Sequence, residues 1–522
     1  MGDIYYQLPI TNYQLPITYY LLPITQNFFL PKSYFDGIID LKCFYLKAFR
    51  TILMNQSKFP IPKSKSVNPC QQGQLIEIEI TDLADTGDGV GRFGQLVVFV
   101  ADTVPGDRVL VRLLQVKSTY ATGKLDTLLE ASEHRIRPNC IVADKCGGCQ
   151  WQHVDYDYQL TAKQNQVIQA LERIGGFSDL RVDEILAGKI DNFPQFLGYR
   201  NKATYPLGIS VTGQVQAGYY QKSTHKLVNL NQCPVQDPRL NPLLKEVKED
   251  IHWRDWPVYD EKQHTGELRH LSLRIGRRTG EMLLTLIVRT GDLPGLEAQA
   301  SDWLKRYPEL TGVCLNINSA KTNVIFGAET RCIAGRAYLR EEFAGLEFQL
   351  RADTFFQVNT EAAEGLLQAI VAELNLQGNE VLVDAYCGIG TFTLPLAKQV
   401  QKAVGLEVQA EAIAQADLNA ELNGLTNVTF KVGTVEKLLP QLDVVPDIVL
   451  LDPPRKGCDR SVLETIKQIK PSRIVYISCK PATLARDLKI LCENGDYKLV
   501  RVQPADFFPQ TSHVECAAFL VA

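Results

Sequence analysis

The sequence predicts an α/β protein: a doubly wound parallel sheet in the C-terminal part, preceded by a small β-barrel and a mixed α/β region. One observation is that the chain after Phe355 repeatedly reads as strand, loop and helix, the alternation of a parallel sheet with helices on both faces. Another is a run of short strands and glycine-rich turns from Gln74, which is typical of a small barrel. The last segment, YKLVRVQPADFFPQTSHVECAAFLV, contains two strands without a helix and predicts an antiparallel hairpin at one edge of the sheet.

The chain begins with a repetitive extension, in which YQLPITN, YQLPITY and YLLPITQ follow one another and each carries a proline. Regularly spaced prolines exclude a coiled coil and a membrane-spanning helix, so we expect this extension to be disordered and without a functional role. No Lys or Arg precedes Lys32, so the basic leader of a secretory signal is missing. The expected limits are 1–69 for the extension, 70–133 for the barrel, 134–350 for the central region and 351–522 for the parallel-sheet domain.

Composition narrows the class of protein. A hydrophobic content of 45% with 22% charged residues is typical of a globular protein, and we expect no membrane association and no obligate protein partner. The net charge of −4 means that any nucleic-acid binding must come from local basic patches. The 13 cysteines are an odd number and most stand in apolar settings, so the sequence favours free thiols and a cytoplasmic location.

Three cysteines, Cys140, Cys146 and Cys149, stand close together in CIVADKCGGCQ. Their spacing is typical of a metal site that needs a fourth ligand from elsewhere. Four thiolates suit zinc and iron–sulfur clusters alike, so the spacing leaves both metals open.

Basic and aromatic residues interleave in the central region. Aromatic rings stack on bases and cations neutralise phosphates, so the mixture predicts an RNA-binding surface. The residues concerned are Tyr199, Arg200, Lys202, Tyr205, Tyr219, Tyr220, Lys222, His225, Lys226 and, in the turn of the hairpin LSLRIGRRTGEMLLTLIVRT, Arg277 and Arg278.

A nucleotide site is indicated in the first βα unit of the parallel sheet. In DAYCGIGT an apolar strand runs into Asp384 and a turn with Gly388 and Gly390, where the backbone can approach a ligand closely. Glu407 ends the next strand, where a carboxylate can accept hydrogen bonds from both ribose hydroxyls. No P-loop lysine follows, so adenosine without phosphates, as in S-adenosylmethionine, suits the turn best; a purely structural turn is the alternative.

Reactive side chains follow later strands of the same sheet. Asp452 ends a buried strand in LLDPPRKG, and Cys479 ends the next one in YISCKP, where the helix TLARDL should help to hold a thiolate. His513 and Glu515, two residues apart and so expected on one face of a strand, offer a general base. Thiolate, base and methyl donor together suggest C5 methylation of uracil, because addition of a thiolate to C6 makes C5 nucleophilic.

These motifs resemble the RNA (uracil-5-)-methyltransferase family, in particular its branch with a TRAM barrel and an iron–sulfur cluster that modifies 23S rRNA. The resemblance runs from about Gln74 to the end of the chain and includes FFQVN, DAYCGIGT, LDPPRKG, SCKP and HVE in family order. It implies a Rossmann-like class I methyltransferase domain, Cys479 as nucleophile and Glu515 as base. The positions that it implies for the donor and base pocket are Gln357, Tyr386, Thr391, Glu407, Thr434 and Asp452. Lys480 stands where relatives commonly have asparagine, and the repeats before Gln74 have no counterpart.

The resemblance also implies the fourth cysteine ligand and the metal. Cys140, Cys146 and Cys149 match the family spacing, and Cys233 in NQCPVQ matches its distant Cys-Pro, which together favour a 4Fe-4S cluster over zinc. Methyl transfer needs no redox chemistry, so such a cluster is expected to fold the central region and shape the RNA surface.

The sequence thus predicts 5-methyluridine formation in structured RNA, with 23S rRNA as the expected substrate. One rival is a tRNA (uracil-5-)-methyltransferase. A rival of another class is a noncatalytic RNA-binding or ribosome-assembly factor, which intact Cys479 and Glu515 disfavour. An adenine amino-methyltransferase also uses an Asp/Asn-Pro-Pro motif but needs no cysteine nucleophile.

Overall fold

The structure, a computed structural model, describes residues 70–190 and 193–522. The repetitive extension predicted to be disordered, 1–69, lies outside the described residues. Within the part that is described, no helix is both long and apolar enough to cross a membrane.

The N-terminal barrel closes because its strands alternate buried aliphatic and exposed polar side chains. In its first strand Ile76, Ile78 and Ile80 are buried, while Glu77 and Glu79 face outward. The strands are β1 (Leu75–Leu83), β2 (Gly89–Phe93), β3 (Leu96–Ala101), β4 (Arg108–Val116) and β5 (Tyr120–Glu130). Their order around the barrel is β1-β2-β3-β5-β4, which confirms the predicted barrel.

A helix and short strands connect the barrel to the central sheet. Helix α1 (Tyr156–Ala170) is capped by the Asp155 carboxylate, which accepts a hydrogen bond from the backbone N–H of Asp157, and it continues into a π-helical turn. The short strands are β6 (Leu186–Ala187), β7 (Lys189–Ile190) and β8 (Phe193–Pro194).

The central region is a seven-stranded sheet in the order β11-β10-β9-β12-β13-β14-β15, followed by a two-stranded hairpin. Its strands are β9 (Lys202–Ile209), β10 (Val215–Tyr220), β11 (Leu227–Asn229), β12 (Leu268–Ile275), β13 (Met282–Val288), β14 (Leu310–Ile317) and β15 (Glu329–Gly335); the hairpin is β16 (Tyr338–Phe343) and β17 (Leu346–Arg351). The helices are α2 (Leu240–Trp253) and α3 (Leu296–Arg306). Strands β12 and β13 pair antiparallel, as the sequence predicts.

The C-terminal sheet has the order β20-β19-β18-β21-β22-β24-β23-β6, and β18 to β22 are parallel. Its helices are α4 (Thr360–Leu374), α5 (Thr393–Ala397), α6 (Ala410–Leu422), α7 (Val435–Leu438), α8 (Arg460–Ile469) and α9 (Pro481–Cys492). Its strands are β18 (Val381–Ala385), β19 (Lys402–Glu407), β20 (Val428–Val432), β21 (Ile448–Leu451), β22 (Arg473–Ser478), β23 (Lys498–Asp506) and β24 (Glu515–Val521). Every side chain of β21 is buried, as expected for a strand covered on both faces.

The end of the chain forms the predicted antiparallel hairpin, β23 with β24. It is not the outermost element, because β6 pairs in parallel with the end of β23. Lys163 of α1 also forms a fully buried ion pair with Asp506, 2.6 Å between Nζ and Oδ1. The segment that connects the barrel to the central sheet therefore packs on the C-terminal sheet.

The predicted RNA-binding surface of the central region is wrong for several of its residues. Tyr199 and Tyr205 are fully buried. The Arg277 side chain is buried in ion pairs with Asp237 and Glu361. The sequence shows the right residue types, but tertiary packing turns these side chains inward.

Candidate active site

A cavity of about 650 Å³ opens at the carboxyl ends of the parallel strands. Strand order reverses direction on either side of β18, and the crevice at such a switch point is where doubly wound sheets bind ligands. Seven of the eight side chains predicted to act in catalysis or donor binding line this cavity: Gln357, Tyr386, Glu407, Thr434, Asp452, Cys479 and Glu515. The eighth, Thr391, is buried in the glycine turn and is not among the lining residues.

The glycine turn and Glu407 form the nucleotide end of the cavity. Gly388 and Gly390 have φ values of 54° and 83°, a left-handed conformation that glycine adopts without strain. The backbone N–H of Gly388 donates to one Glu407 oxygen at 3.3 Å, and that of Gln409 donates to the other at 2.9 Å. These bonds orient the Glu407 carboxylate, which lines the cavity and can accept hydrogen bonds from a ribose.

Cys479 and Glu515 meet because of strand direction. Cys479 follows the end of β22, and β24 runs antiparallel to β22 with Ser478 opposite Cys516. The start of β24, Glu515, therefore lies beside Cys479. His513 precedes β24, so the expectation that His513 and Glu515 share a strand face is wrong, and His513 does not line the cavity.

Acidic groups dominate the electrostatics around the thiol. The pKa of Cys479 is raised to about 11, chiefly by burial and also by the charges of Glu515 and Asp452, against an opposing effect of Arg455. The expected stabilisation of a thiolate by helix α9 is therefore outweighed, and the resting group is a thiol. Burial, together with the charge of Asp452, also raises the pKa of Glu515 well above its usual range. A cationic ligand in the cavity would favour the ionised forms of Cys479 and Glu515.

Asp452 gives a pH-dependent contribution to stability. Burial, with a smaller effect of the Asp384 charge, raises the pKa of Asp452 from 3.8 to about 7. The folded state thus holds a proton that the unfolded chain releases near pH 4, so this contribution is present at low pH and lost as the pH rises through about 7.

We expect Asp452→Asn, which mimics the neutral acid, to raise Tm relative to the wild type by about 2–5 °C at pH 8 and by less at pH 5. Thermal unfolding of both proteins without ligand at the two pH values measures this. A difference that does not change with pH would contradict the raised pKa.

Three side chains of the central sheet hold the loop that carries Gln357 into the cavity. Asn201 donates to the carbonyl oxygen of Gln357 at 2.9 Å and to the Thr360 hydroxyl at 3.1 Å. Arg274 donates to the carbonyls of Arg351 and Thr354, and Lys202 donates to the carbonyl of Ala352. Burial lowers the pKa of Lys202 to about 6, with a further lowering by Arg274 and an opposing effect of Asp353. The central sheet thus positions one wall of the cavity.

Removal of this support should lower activity more than stability alone explains. Asn201→Ala leaves the Gln357 carbonyl without its donor, and we expect about a tenfold fall in kcat/KM for methyl transfer besides a loss of about 1–3 kcal/mol of stability. Asn316→Ala is the matched control, because Asn316 is buried in the same sheet and its amide donates to Gly327, Glu329 and Thr330. Equal losses of kcat/KM in both variants would show that Asn201 has no special role.

The four predicted cysteine ligands line a separate cavity of about 230 Å³. The pKa of Cys149 is raised to about 12, chiefly by burial and also by the charges of Cys233, Cys146 and Cys140. The backbone N–H of Gly148 donates to the sulfur of Cys146 at 3.4 Å. In the described part of the chain no three His, Cys, Asp or Glu side chains converge on a single metal ion.

Sequence reasoning missed Arg455 and the three supporting side chains of the central sheet. Arg455 stands directly after the prolines of LLDPPRKG, so its proximity to the motif was a usable signal. Asn201, Lys202 and Arg274 are distant in sequence from the loop that they support, and no local pattern marks that contact.

Comparisons with known proteins agree with this geometry. The family model described as tRNA (uracil-5-)-methyltransferase matches residues 216–522, and that of the TRAM domain matches 69–125. An uncharacterised RNA methyltransferase of Nostoc sp. is 70% identical over 450 residues, 86% of this chain and 97% of the relative. One from Bacillus cereus is 40% identical over 460 residues, 88% of this chain and 99% of the relative. The structure of Pyrococcus abyssi tRNA (uracil-54, C5)-methyltransferase with S-adenosyl-L-homocysteine has a TM-score of 0.68 and 28% identity, and covers 85% of this chain and 100% of that one.

Fold, site and comparisons define the class: an S-adenosylmethionine-dependent methyltransferase with a Rossmann-like catalytic sheet. Within that class the chain belongs to the RNA (uracil-5-)-methyltransferase family and carries an N-terminal TRAM domain.

Proposed function

We propose that this enzyme methylates C5 of a uridine in 23S rRNA through a covalent bond between Cys479 and C6 of the base. The observation that carries the proposal is the single cavity that holds a thiol and a carboxyl group, Cys479 and Glu515, at one end and Glu407 beside the glycine turn at the other. S-adenosylmethionine, bound at the Glu407 end, supplies the methyl group.

The chain's own residues carry the remaining steps. The Cys479 thiol loses its proton to solvent at the open end of the cavity, and the sulfur adds to C6 of uracil. The electron pair of the C5–C6 double bond moves toward the carbonyl and makes C5 a nucleophile. C5 would then take the methyl group as the bond between the methyl carbon and the sulfonium sulfur of the donor breaks, with its electron pair left on that sulfur. The Glu515 carboxylate then accepts the C5 proton, the C5–C6 double bond re-forms, and the bond between sulfur and C6 breaks so that the thiolate leaves.

The rRNA assignment is supported by the barrel, which the TRAM model matches, and by the cysteine cavity. The test is incubation of the enzyme and labelled S-adenosylmethionine with RNA from a strain that lacks the gene, separated into tRNA and large rRNA. Label in large rRNA that digests to 5-methyluridine is expected. Absence of label in both fractions, with the donor still bound, would favour the noncatalytic rival.

A second candidate substrate is tRNA. The structurally similar protein from Pyrococcus abyssi is a tRNA (uracil-54, C5)-methyltransferase. Label in tRNA and none in large rRNA would keep the chemistry and replace the substrate.

We also propose that Cys140, Cys146, Cys149 and Cys233 hold a 4Fe-4S cluster that folds the central region. Their donor set fits the group, because four thiols line one cavity and a backbone N–H points at one sulfur, as at the sulfurs of such clusters. We also propose that the three domains have the limits that the sequence predicts, 70–133, 134–350 and 351–522.

Anaerobically purified protein should contain iron and acid-labile sulfide in equal amounts, and Cys233→Ala should lose both. The variant should also unfold at a lower temperature and bind RNA more weakly, since the ligand-bearing segments lose their common attachment. Cys332→Ala is the control, because this thiol is exposed and outside the cavity. Zinc in place of iron, or unchanged folding and RNA affinity without the cluster, would contradict the proposal.

A further inference from the structure

Exposed cations, Arg455 and Lys480 among them, stand at the Cys479 end of the active-site cavity. Arg455 follows the prolines after β21 and lines the cavity, and Lys480 directly follows Cys479. The Thr483 hydroxyl lies 3.4 Å from the carbonyl oxygen of Arg455 and 3.0 Å from that of Lys480, so the two loops lie side by side. We call Arg455 and Lys480 the cationic lip.

The two side chains of the cationic lip are free to bind an anion. Within the described residues neither side chain has an ion pair or a hydrogen bond. The next arginine outward differs: Arg486 donates to the carboxylate of Asp487 at 2.7 Å and to the carbonyl oxygen of Lys456 at 2.9 Å. An exposed cation without a carboxylate partner keeps its full charge for a ligand.

Charge is distributed unevenly along the cavity. Glu407, the last residue of β19, and Glu436, in the helix α7 that follows β20, line the end that is opposite in the strand order to the cationic lip. These carboxylates repel phosphate and suit the neutral ribose of the methyl donor. A base that reaches Cys479 brings its own ribose and phosphate with it, and the group of opposite charge that the phosphate meets is the cationic lip.

We propose that Arg455 and Lys480 bind the backbone phosphates that flank the target uridine and so hold the base over Cys479. This inference rests on the proposed function and adds to it the part of the RNA, its backbone phosphates, that the cationic lip recognises. Arginine offers a bidentate fork to phosphate and lysine a point charge, so the two groups can share adjacent phosphates.

Salt dependence measures such contacts directly. Each phosphate that a cation neutralises releases condensed counterions, and log affinity therefore falls as log salt rises. Loss of one contact with single-stranded RNA makes this negative slope less steep by about 0.7. A substitution that harms only the fold or the chemistry leaves this slope unchanged.

The experiment compares Lys480→Gln, Arg455→Gln and the control Lys489→Gln, which removes an exposed lysine from α9, the helix that begins directly after Lys480. The substrate is 23S rRNA from a strain that lacks the gene, and kcat/KM is measured over a series of KCl concentrations. In each lip variant the negative slope of log kcat/KM against log salt should be less steep by about 0.7. KM for RNA should rise about tenfold near physiological salt. The kcat of Lys480→Gln should stay within about twofold of the wild type, and donor affinity should not change.

A wild-type salt slope in both lip variants would overturn the inference, and so would a fall in kcat without a change in KM for RNA. Failure of the proposed function looks different, because the wild type itself would then leave the rRNA unlabelled. If tRNA is the substrate, the same comparison is made on tRNA.

Discussion

Cys479→Ala is expected to abolish methyl transfer, with a fall in rate of about 10⁴-fold or more, while S-adenosylmethionine still binds. Cys479 is the thiol that lines the cavity together with Glu515, and without it C5 of uracil stays a poor nucleophile. The donor should still bind, because the glycine turn follows β18 and Glu407 ends β19, whereas Cys479 follows β22. Label transfer to RNA and equilibrium binding of the donor are the two measurements.

The matched control for this prediction is Cys332→Ala, which removes an exposed cysteine from the central sheet. It should retain wild-type activity. Substantial methylation by Cys479→Ala would exclude the covalent mechanism and leave direct transfer to the base, as in methyltransferases that use no cysteine.

Glu515→Gln is expected to impair removal of the C5 proton, the step after methyl transfer, and so to slow turnover by about 10²- to 10⁴-fold. Glutamine keeps the size of the side chain but cannot accept the C5 proton, so the bond between Cys479 and C6 should persist after methylation. Enzyme and labelled RNA should then migrate together under denaturing conditions, and Glu515→Gln/Cys479→Ala should not form this complex.

The pKa of Glu515 bears on this second prediction. Burial and the neighbouring Asp452 favour the neutral acid before ligands bind. In the proposed mechanism a positively charged sulfonium in the cavity would favour the carboxylate, so we expect Glu515 to act as a base only when the donor is present. Glu515→Gln with unchanged turnover would assign proton removal to another group. Asp452 is a cavity carboxyl group whose charge acts on Glu515.

Local patterns were sufficient for much of this protein. Alternation in β1 and repeated strand–loop–helix units predicted the barrel and the parallel sheet, because periodicity of side chains determines which face a strand or helix buries. The same reasoning placed Glu407, Asp452 and Cys479 at one edge of the sheet, since parallel strands end on the same side.

Tertiary packing decided what local patterns could not. The interleaved tyrosines and arginines of the central region look like a nucleic-acid surface, but Tyr199, Tyr205 and Arg277 are buried. The helix after Cys479 predicts a stabilised thiolate, yet burial of the thiol and the neighbouring Glu515 and Asp452 carboxyl groups raise its pKa. The burial of these side chains and the raised pKa of Cys479 both depend on groups that the fold brings close from distant parts of the chain.

The sequence by itself therefore determined the architecture, the chemical groups and their family, because these follow from periodicity and from motifs within a few residues. Only the tertiary structure decided that Asn201 and Arg274 support the loop of Gln357, that β6 extends the catalytic sheet, and that Arg455 stands beside Lys480. The physical reason is that charge interactions and hydrogen bonds act over a few ångströms of space, whereas a sequence pattern reports only neighbours along the chain.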